Sequence, residues 1–349
     1  MTAIASIISF IVVVVVLVLA HEVGHFVTAK ARGVTVQEFG LFLPPRLFSI
    51  KRGGTIYSLN TFPLGGFVKM AGEDDPTVPG SLASKSIGTR LLVLSSGSIM
   101  NFLLPLLLFS IAFMVPHDTV TGRVIIEEVA PNSPAESAGI RPGDAILSIN
   151  NKPIENNGDL SRYIELNLGK QITLLVQHSD NTNETLRLIP RWAPPANQGA
   201  MGVLLKNSEA TVVRRSEPFW RAIPLGFSAC IETFIIFKNG IVSMIIGAAP
   251  AELAGPVGIG QIAVEVAQAG FSPLLEFAAF LSINLGLINI FPLPALDGGR
   301  IAFVLLEWLR RGKRIPAKAE GRVHLIGFIL LMAFFLAVTF NDIMRIING

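Results

Sequence analysis

Two histidines and a glutamate stand close together near the amino terminus, in the segment Ala20-His21-Glu22-Val23-Gly24-His25. On a helix His21 and His25 share one face, because residues four apart in sequence are neighbours there. Two imidazoles so placed can bind one divalent ion, usually zinc, with Glu22 beside it. A carboxylate at that point can take a proton from water and pass it to a leaving amine, so Glu22 is predicted to be a general base.

The same pattern also occurs by chance on surface helices, as two solvated histidines and a glutamate in a salt bridge. Here it ends an apolar run, since residues 4–20 carry no charge, and the run is predicted to form a membrane-spanning helix that continues to about Thr28. Ionisable side chains inside a span cost about 2.5 to 3.5 kcal/mol each and usually mark function. The position therefore favours a metal site.

Composition defines the class of protein. The chain has 349 residues, of which 51% are hydrophobic and 15% charged, with a formal net charge of +3. These values predict an integral membrane protein with room for one modest soluble domain. The first apolar run lacks a basic start and a cleavage site, so it is predicted to be retained and not removed as a signal peptide. The single cysteine, Cys230, excludes an internal disulfide and a cysteine-based metal site.

Three further apolar runs, at residues 91–115, 274–291 and 323–338, bring the predicted number of spans to four. The loops at 30–90 and 300–322 are rich in lysine and arginine, which places them in the cytoplasm by the positive-inside rule. The amino terminus then lies outside. The apolar stretch 219–262 is interrupted by charges, prolines and glycines, among them Pro250 and Glu252. We expect it to be interfacial or re-entrant, because one additional crossing would reverse the next span.

Asp297 is the predicted third metal ligand. Pro292 and Pro294 break the helix at the end of the third span, and irregular backbone at this depth must be buried or line a wet cavity. Taken locally, Asp297 could instead cap the helix that follows. The topology favours a ligand, because Asp297 and His25 then reach the same leaflet.

Two other features have competing interpretations. The stretch Thr55–Met70 is rich in β-formers around Pro63-Leu64-Gly65-Gly66 and predicts a membrane-associated β-hairpin, whose edge could bind an extended substrate by strand addition. An ordinary cytoplasmic turn is the alternative. Asn101, in the second span, is interpreted as a helix-packing residue in preference to a catalytic one.

The composition becomes soluble from His117 to Arg191. Strands are predicted at 123–129, 144–150 and 171–177, and short helices at 133–138 and 160–167. The segment 130–150 resembles the PDZ pattern, which is typical of domains that bind a chain end beside a strand. This PDZ-like domain follows the second span and is expected outside the cytoplasm. His117 and His178 are interpreted as surface residues and His324 as interfacial.

The motifs together resemble the bacterial site-2 protease family of intramembrane zinc metalloproteases. The resemblance rests on His-Glu-Val-Gly-His, Pro-Leu-Gly-Gly, one PDZ-like domain, Gly-Pro-Val-Gly-Ile, and Asn-Ile-Phe-Pro-Leu-Pro-Ala-Leu-Asp-Gly-Gly. It implies that His21, His25 and Asp297 bind Zn²⁺ and that Glu22 is the base. It also implies substrate contacts at Asn284, Asn289, Gly65 and Gly66. Well-known members with two tandem PDZ domains differ from this chain.

The predicted fold is an α-helical polytopic membrane protein of about four transmembrane helices, with an inserted α+β PDZ-like domain and a membrane-associated β-hairpin. The expected divisions are a membrane core at 1–115, the PDZ-like domain at 116–195, a connecting region at 196–273, and a second membrane core at 274–349. The resemblance implies cleavage of single-span membrane proteins inside the bilayer of the inner membrane, near the cytoplasmic leaflet. A chain end is a further expected partner at the PDZ-like domain, and nucleic acid is not expected. The alternatives are a metal-binding transporter and a PDZ-based scaffold.

Overall fold

The computed structural model describes residues 3–73, 75–248 and 255–348. The helices of these residues are α1 (Ala3–Ala31), α2 (Ile87–Met114), α3 (Pro134–Ser137), α4 (Asn157–Leu166), α5 (Phe219–Ile245), α6 (Pro256–Ala269), α7 (Phe271–Ile290), α8 (Asp297–Leu309) and α9 (Ala317–Asn348). The strands are β1 (Val36–Arg52), β2 (Thr55–Met70), β3 (His117–Val129), β4 (Ala145–Ile149), β5 (Lys152–Pro153), β6 (Ile172–Gln177), β7 (Asn183–Leu188) and β8 (Val203–Arg215).

The chain divides into two compact units. The membrane core comprises Met1–Ala112, Phe219–Phe227 and Leu253–Gly349, and the inserted unit comprises Phe113–Pro218 and Ser228–Glu252. Five helices of the described residues, α1, α2, α5, α7 and α9, are long and apolar enough to cross a membrane. The four predicted apolar runs are therefore confirmed as helices. The interrupted stretch 219–262 contains α5 and the start of α6, whereas Pro250 and Glu252 lie outside the described residues.

Helices α1 and α7 of the membrane core run in the same direction, and α2 runs opposite to both. The Ser272 hydroxyl, near the start of α7, donates to the carbonyl oxygen of Ala112, near the end of α2, over 2.9 Å. At the other end of the core, His25 near the end of α1 lies 3.0 Å from Asp297, which follows α7. We call this second end the site end. Helices α1, α2 and α7 alternate in direction, as the predicted topology requires.

The first sheet differs from the predicted hairpin. Strands β1 and β2 form an antiparallel pair whose turn is Gly53-Gly54, and both glycines have the positive φ angles, 57° and 80°, that a tight hairpin turn needs. Phe39 of β1 pairs with Tyr57 on one side and with Val68 on the other. The two halves of β2 therefore lie on either side of residues 38–41 of β1 and do not pair with each other. The prediction that Thr55–Met70 is itself a hairpin is wrong, because the glycine pair supplies the tight turn.

The inserted unit is built around a six-stranded sheet with the order β7-β6-β4-β3-β8, with β5 paired to β4. The predicted strands and both short helices of this unit are confirmed to within a few residues. Ser133 and Asn156 cap α3 and α4 with their side-chain oxygens. Alternate residues of β6, namely Ile172, Leu174 and Val176, are fully buried in the core. Strand β8, in the expected connecting region, was not predicted.

Part of α5 belongs to the inserted unit and packs against α4. Glu232 pairs with Arg162, and the Asn239 amide donates to the carbonyl oxygen of Glu165 over 2.6 Å. Asn239 is only 4% exposed, and Ser243 one turn further on is 7% exposed. The buried face of this part of α5 therefore carries polar groups that bond to a helix of the α+β unit.

Candidate metal centre

The histidine pair lies on one buried face of α1. An α-helix places residues four apart one above the other, and the Nε2 atoms of His21 and His25 are 3.2 Å apart. Both side chains are buried, with 8% and 5% of their surface exposed. Two ring nitrogens this close, turned towards one point, suit a shared cation.

Asp297 completes a triangle with the two histidines. Its Oδ2 atom lies 3.0 Å from each Nε2 atom. Asp297 is the first residue of α8, the N-cap is Leu296, and no side chain caps this helix. The alternative that Asp297 caps the helix is therefore wrong, because its carboxylate is turned towards the imidazoles.

The donor set fits a zinc ion. Ligand atoms about 2.0 to 2.1 Å from a tetrahedral ion lie roughly 3.3 Å from one another. The three atoms here are 3.0 to 3.2 Å apart. Two neutral imidazoles and one carboxylate are also a typical donor set of catalytic zinc, which leaves a fourth position for water or substrate.

Hydrogen bonds to the other ring nitrogens orient the pair. His25 Nδ1 donates to the carbonyl oxygen of Val93 over 2.8 Å, which leaves the Nε2 lone pair for a metal. His21 Nδ1 lies 3.2 Å from the side-chain nitrogen of Asn101, a fully buried residue whose Oδ1 atom has no hydrogen-bond partner in the described structure. Turning the amide by 180° lets Oδ1 accept from Nδ1–H, which gives these two atoms a shared hydrogen bond.

Asn101 contacts the proposed metal ligand His21, a role that the sequence does not predict because a polar residue in a span is more often a packing residue. The signal available was one strongly polar amide in the apolar run of the second span. Sequence separation concealed its partner, which lies 80 positions away in the chain.

Gly97 lets α2 approach the histidines. A Cβ atom at this position would lie 2.3 Å from His25 Nε2 and 2.6 Å from His21 Nε2. Gly24 of α1 has a similar role, since its Cβ would lie 2.3 Å from the carbonyl oxygen of Ser96. Only glycine fits at these two points, so the site depends on close packing of α1 and α2.

Two cavities meet at the triangle. The first, of about 350 Å³, is lined by His21, Glu22, His25 and Asp297 together with residues 66–70 of β2. The second, of about 260 Å³, is lined by Glu22, Gly65, Gly66, Asn289 and Asp297, among others. Glu22 lines both, and a Cβ atom at Gly66 would be 3.1 Å from its Cγ atom. A carboxylate and one end of a β-strand thus border the same space as the metal-binding atoms.

The other predicted substrate residue, Asn284, does not line either cavity. Its amide donates to the carbonyl oxygen of Phe280 in the same helix over 2.9 Å. The first cavity instead includes Glu73 and Arg300, which form an ion pair. Glu73 also accepts a hydrogen bond from the backbone N–H of Met70 over 3.1 Å, at the end of β2.

A helical core that brings a His-Glu-x-x-His pair and a distant aspartate to one point, with a carboxylate beside them, defines a membrane metallohydrolase. The model of peptidase family M50 matches residues 9–334, and the chain belongs to that family. The predicted membership of the site-2 protease family is confirmed.

Relatives extend over nearly the whole chain. A provisionally named zinc metalloprotease of Clostridium acetobutylicum is 34% identical over 338 residues, covering 95% of this chain and 96% of its own. A similarly named protein of Clostridium perfringens is 36% identical over 334 residues, covering 94% and 95%. The regulator of sigma-W protease RasP of Bacillus subtilis is 26% identical over 424 residues, covering 98% and 99%. The predicted zinc cofactor agrees with the first two names.

Among solved structures, the PDZ domain of an SdrC-like protein of Listeria monocytogenes aligns with a TM-score of 0.21 and 19% sequence identity. The alignment covers 24% of this chain and 85% of that domain.

Proposed function

We propose that the chain is an intramembrane zinc metalloprotease that hydrolyses peptide bonds within the transmembrane segments of single-span proteins. The observation that carries this proposal is the convergence of His21, His25 and Asp297 beside Glu22, in cavities bordered by a β-strand. The Bacillus subtilis relative is named as the regulator of sigma-W protease. We therefore propose a membrane-bound signalling factor as the substrate class.

In this proposal His21, His25 and Asp297 hold the zinc ion and Glu22 is the general base. A zinc ion bound there would act as a Lewis acid towards the scissile carbonyl and would lower the pKa of a water molecule bound to it. Glu22 accepts the proton of the attacking water and later donates it to the departing amine nitrogen. Val93 and Asn101 hold the two imidazoles in orientation, and Gly97 keeps the space beside them open.

Residues 66–70 of β2 supply the proposed substrate contact. They pair with β1 along one edge, and they line the cavity along with Glu22. A substrate strand added at the other edge would bind through main-chain hydrogen bonds, which require an extended segment and little sequence identity. Asn289 and Gly65 border the neighbouring cavity, where the strand would continue. Asn284 lines neither cavity, so its proposed substrate contact rests on the family resemblance alone.

We infer four crossings, by α1, α2, α7 and α9, with the site end towards the cytoplasm. The basic residues near that end support this orientation under the positive-inside rule: Lys30, Arg32, Arg90, Arg310, Arg311, Lys313 and Arg314. The inserted unit follows the end of α2, so it would be extracytoplasmic, with its PDZ-like groove available to bind a chain end or to limit access.

Helix α5 is long enough to cross, but its contacts favour an interfacial position. Glu232 and Asn239 bond to helix α4 of the α+β unit, and Asn239 is buried there. Where the polar side chains of a helix bond to a soluble domain, that part of the helix is not surrounded by lipid. With four crossings, Asp297 reaches the same leaflet as His25, whereas a fifth crossing would separate them.

Cleavage of a model single-span substrate in liposomes tests the function. We compare wild type with Glu22→Gln, which removes the base and keeps the side-chain shape, and we measure zinc on both proteins. Glu265→Gln is the matched control, because this exposed carboxylate lies on α6, away from the site.

The proposal predicts that Glu22→Gln retains zinc and loses cleavage, while Glu265→Gln retains both. Metal flux that is unchanged in Glu22→Gln would favour the transporter. Partner binding by the PDZ-like domain that is sufficient for function in His21→Ala, without cleavage, would favour the scaffold. Equal cleavage by wild type and Glu22→Gln would contradict the proposal.

A further inference from the structure

The loop between α7 and α8, residues 291–296, leads directly into Asp297 and lacks two backbone hydrogen-bond donors. Pro292 and Pro294 lack a backbone N–H. The non-glycine residue Ala295 has a φ angle of +76°, in the left-handed region that is costly for residues with a Cβ atom. A backbone in that conformation persists only if its surroundings hold it, and Ala295 stands two positions before the proposed metal ligand.

His324 of α9 makes the contact that holds this residue. The backbone N–H of Ala295 donates to His324 Nδ1 over 3.0 Å. The side chain of His324 is 19% exposed, and its ring lies 5.5 Å from that of Phe303. Because Nδ1 accepts, the neutral ring carries its proton on Nε2, which lies 3.9 Å from Glu320 Oε1. The sequence predicts only an interfacial position for His324, not this contact.

Beside this hydrogen bond, the same loop also packs closely against α9. A Cβ atom at Gly327, one turn after His324, would lie 2.1 Å from the Cβ of Pro294. A Cβ atom at Gly299 would lie 3.2 Å from His324 Cε1. Helix α9 therefore contacts both sides of Asp297, at the loop before it and at the helix turn after it.

We propose that His324 is a positioning residue for the metal centre. By accepting from Ala295, it holds the strained loop in the conformation that keeps Asp297 Oδ2 3.0 Å from both imidazoles. This inference rests on the proposed function for the identity of the metal, and it concerns affinity for zinc and not the chemical step. Residues that orient metal ligands typically change metal affinity about 10- to 100-fold when they are replaced.

The test uses two nearly isosteric replacements in the full-length protein. His324→Asn retains an acceptor on Cγ, where Oδ1 can take the place of Nδ1, whereas His324→Leu has no acceptor. Gly321→Ala is the control on the same helix, because a Cβ atom added at Gly321 would meet no atom within 4 Å. The zinc dissociation constant is measured by competition with a chromophoric chelator, and the absorption spectrum of the cobalt-substituted protein reports the ligand geometry.

We expect His324→Leu to weaken zinc binding about 10- to 100-fold and to alter the cobalt spectrum. His324→Asn should recover most of the affinity, and Gly321→Ala should match wild type. Wild-type zinc affinity in His324→Leu would overturn the proposal. Equal losses in the Asn and Leu variants would overturn it as well, because the ring alone would then matter. These binding measurements do not require proteolysis, so they remain decisive if Glu22→Gln contradicts the proposed function.

Discussion

His21 Nδ1 lies 3.2 Å from the side-chain nitrogen of Asn101, so a residue of α2 directly contacts a proposed metal ligand of α1. A metal-binding histidine usually has such a partner, which selects the tautomer and fixes the ring plane. In this protein the two imidazoles have different kinds of partner, a backbone carbonyl for His25 and a side-chain amide for His21. Only the second can be removed by mutation.

Replacing Asn101 by leucine should lower zinc affinity by about 10- to 100-fold, since leucine has a similar shape and no acceptor for the imidazole proton. Asn101→Asp, which provides a carboxylate acceptor, should retain more of the affinity. Chelator competition measures both dissociation constants. If the leucine variant binds zinc as tightly as wild type, the amide has no role in orienting His21.

Gly97→Ala should abolish zinc binding and cleavage. The added methyl group would lie 2.3 Å from His25 Nε2, well inside van der Waals contact, so an imidazole or a helix must move. Gly88→Ala is the matched control on the same helix, because no atom lies within 4 Å of its Cβ position. Zinc content and cleavage are measured on both variants. A fully active Gly97→Ala protein would contradict the close approach of α1 and α2.

The sequence predicted those features that depend on local pattern. Apolar runs identified α1, α2, α7 and α9, and the four-residue spacing of His21 and His25 placed both on one helix face. The alternation of apolar residues in β6 likewise predicted a half-buried strand. Each of these signals lies within one element, so no knowledge of packing was needed.

Features that depend on which elements meet were not predictable in the same way. Both Gly53-Gly54 and the Pro-Leu-Gly-Gly segment could form a hairpin turn, and only the pairing of the strands shows which of them does. The contacts of Asn101 with His21, and of His324 with Ala295, join residues that are distant in sequence. A single polar residue in an apolar helix indicates that a partner exists, but periodicity does not identify it.

Glu307→Gln should destabilise the membrane core by about 3 to 5 kcal/mol, because the change leaves the mostly buried Arg90 without its carboxylate partner. Arg90 Nη1 lies 2.6 Å from Glu307 Oε2, and Arg314 approaches the other oxygen over 3.2 Å. The free energy of unfolding is measured in mixed micelles with increasing SDS.

The matched control for this variant is Arg46→Gln. Arg46 forms an ion pair with Glu38, and its side chain is 44% exposed. Glu38 is 14% exposed but keeps its hydrogen bond from the Ser58 hydroxyl when Arg46 is replaced. A pair with one solvent-exposed partner contributes about 0.2 to 1 kcal/mol. Similar losses in the two variants would show that burial of the Glu307 pair has no special effect.

His178 should make the inserted unit more stable at low pH than at high pH. Hydrogen bonds to Asp144 and Glu184, both 2.9 Å long, raise the pKa of His178 above its ordinary value. The protonated ring therefore favours the folded state. Its contribution is complete below the unfolded pKa of about 6.5 and is lost as the pH rises through the higher folded pKa.

Hydrogen exchange of β6 and β7 peptides in the full-length protein, corrected for intrinsic rates, measures this dependence between about pH 5.5 and 8.5, on either side of the ordinary histidine pKa. We expect protection to fall with rising pH in wild type and to change little in His178→Gln. His117→Gln should behave as wild type, because His117 Nδ1 bonds only to the nearby Val115 carbonyl oxygen, over 3.0 Å, among the hydrogen bonds of the described residues. The same pH dependence in wild type and His178→Gln would assign the effect to another group.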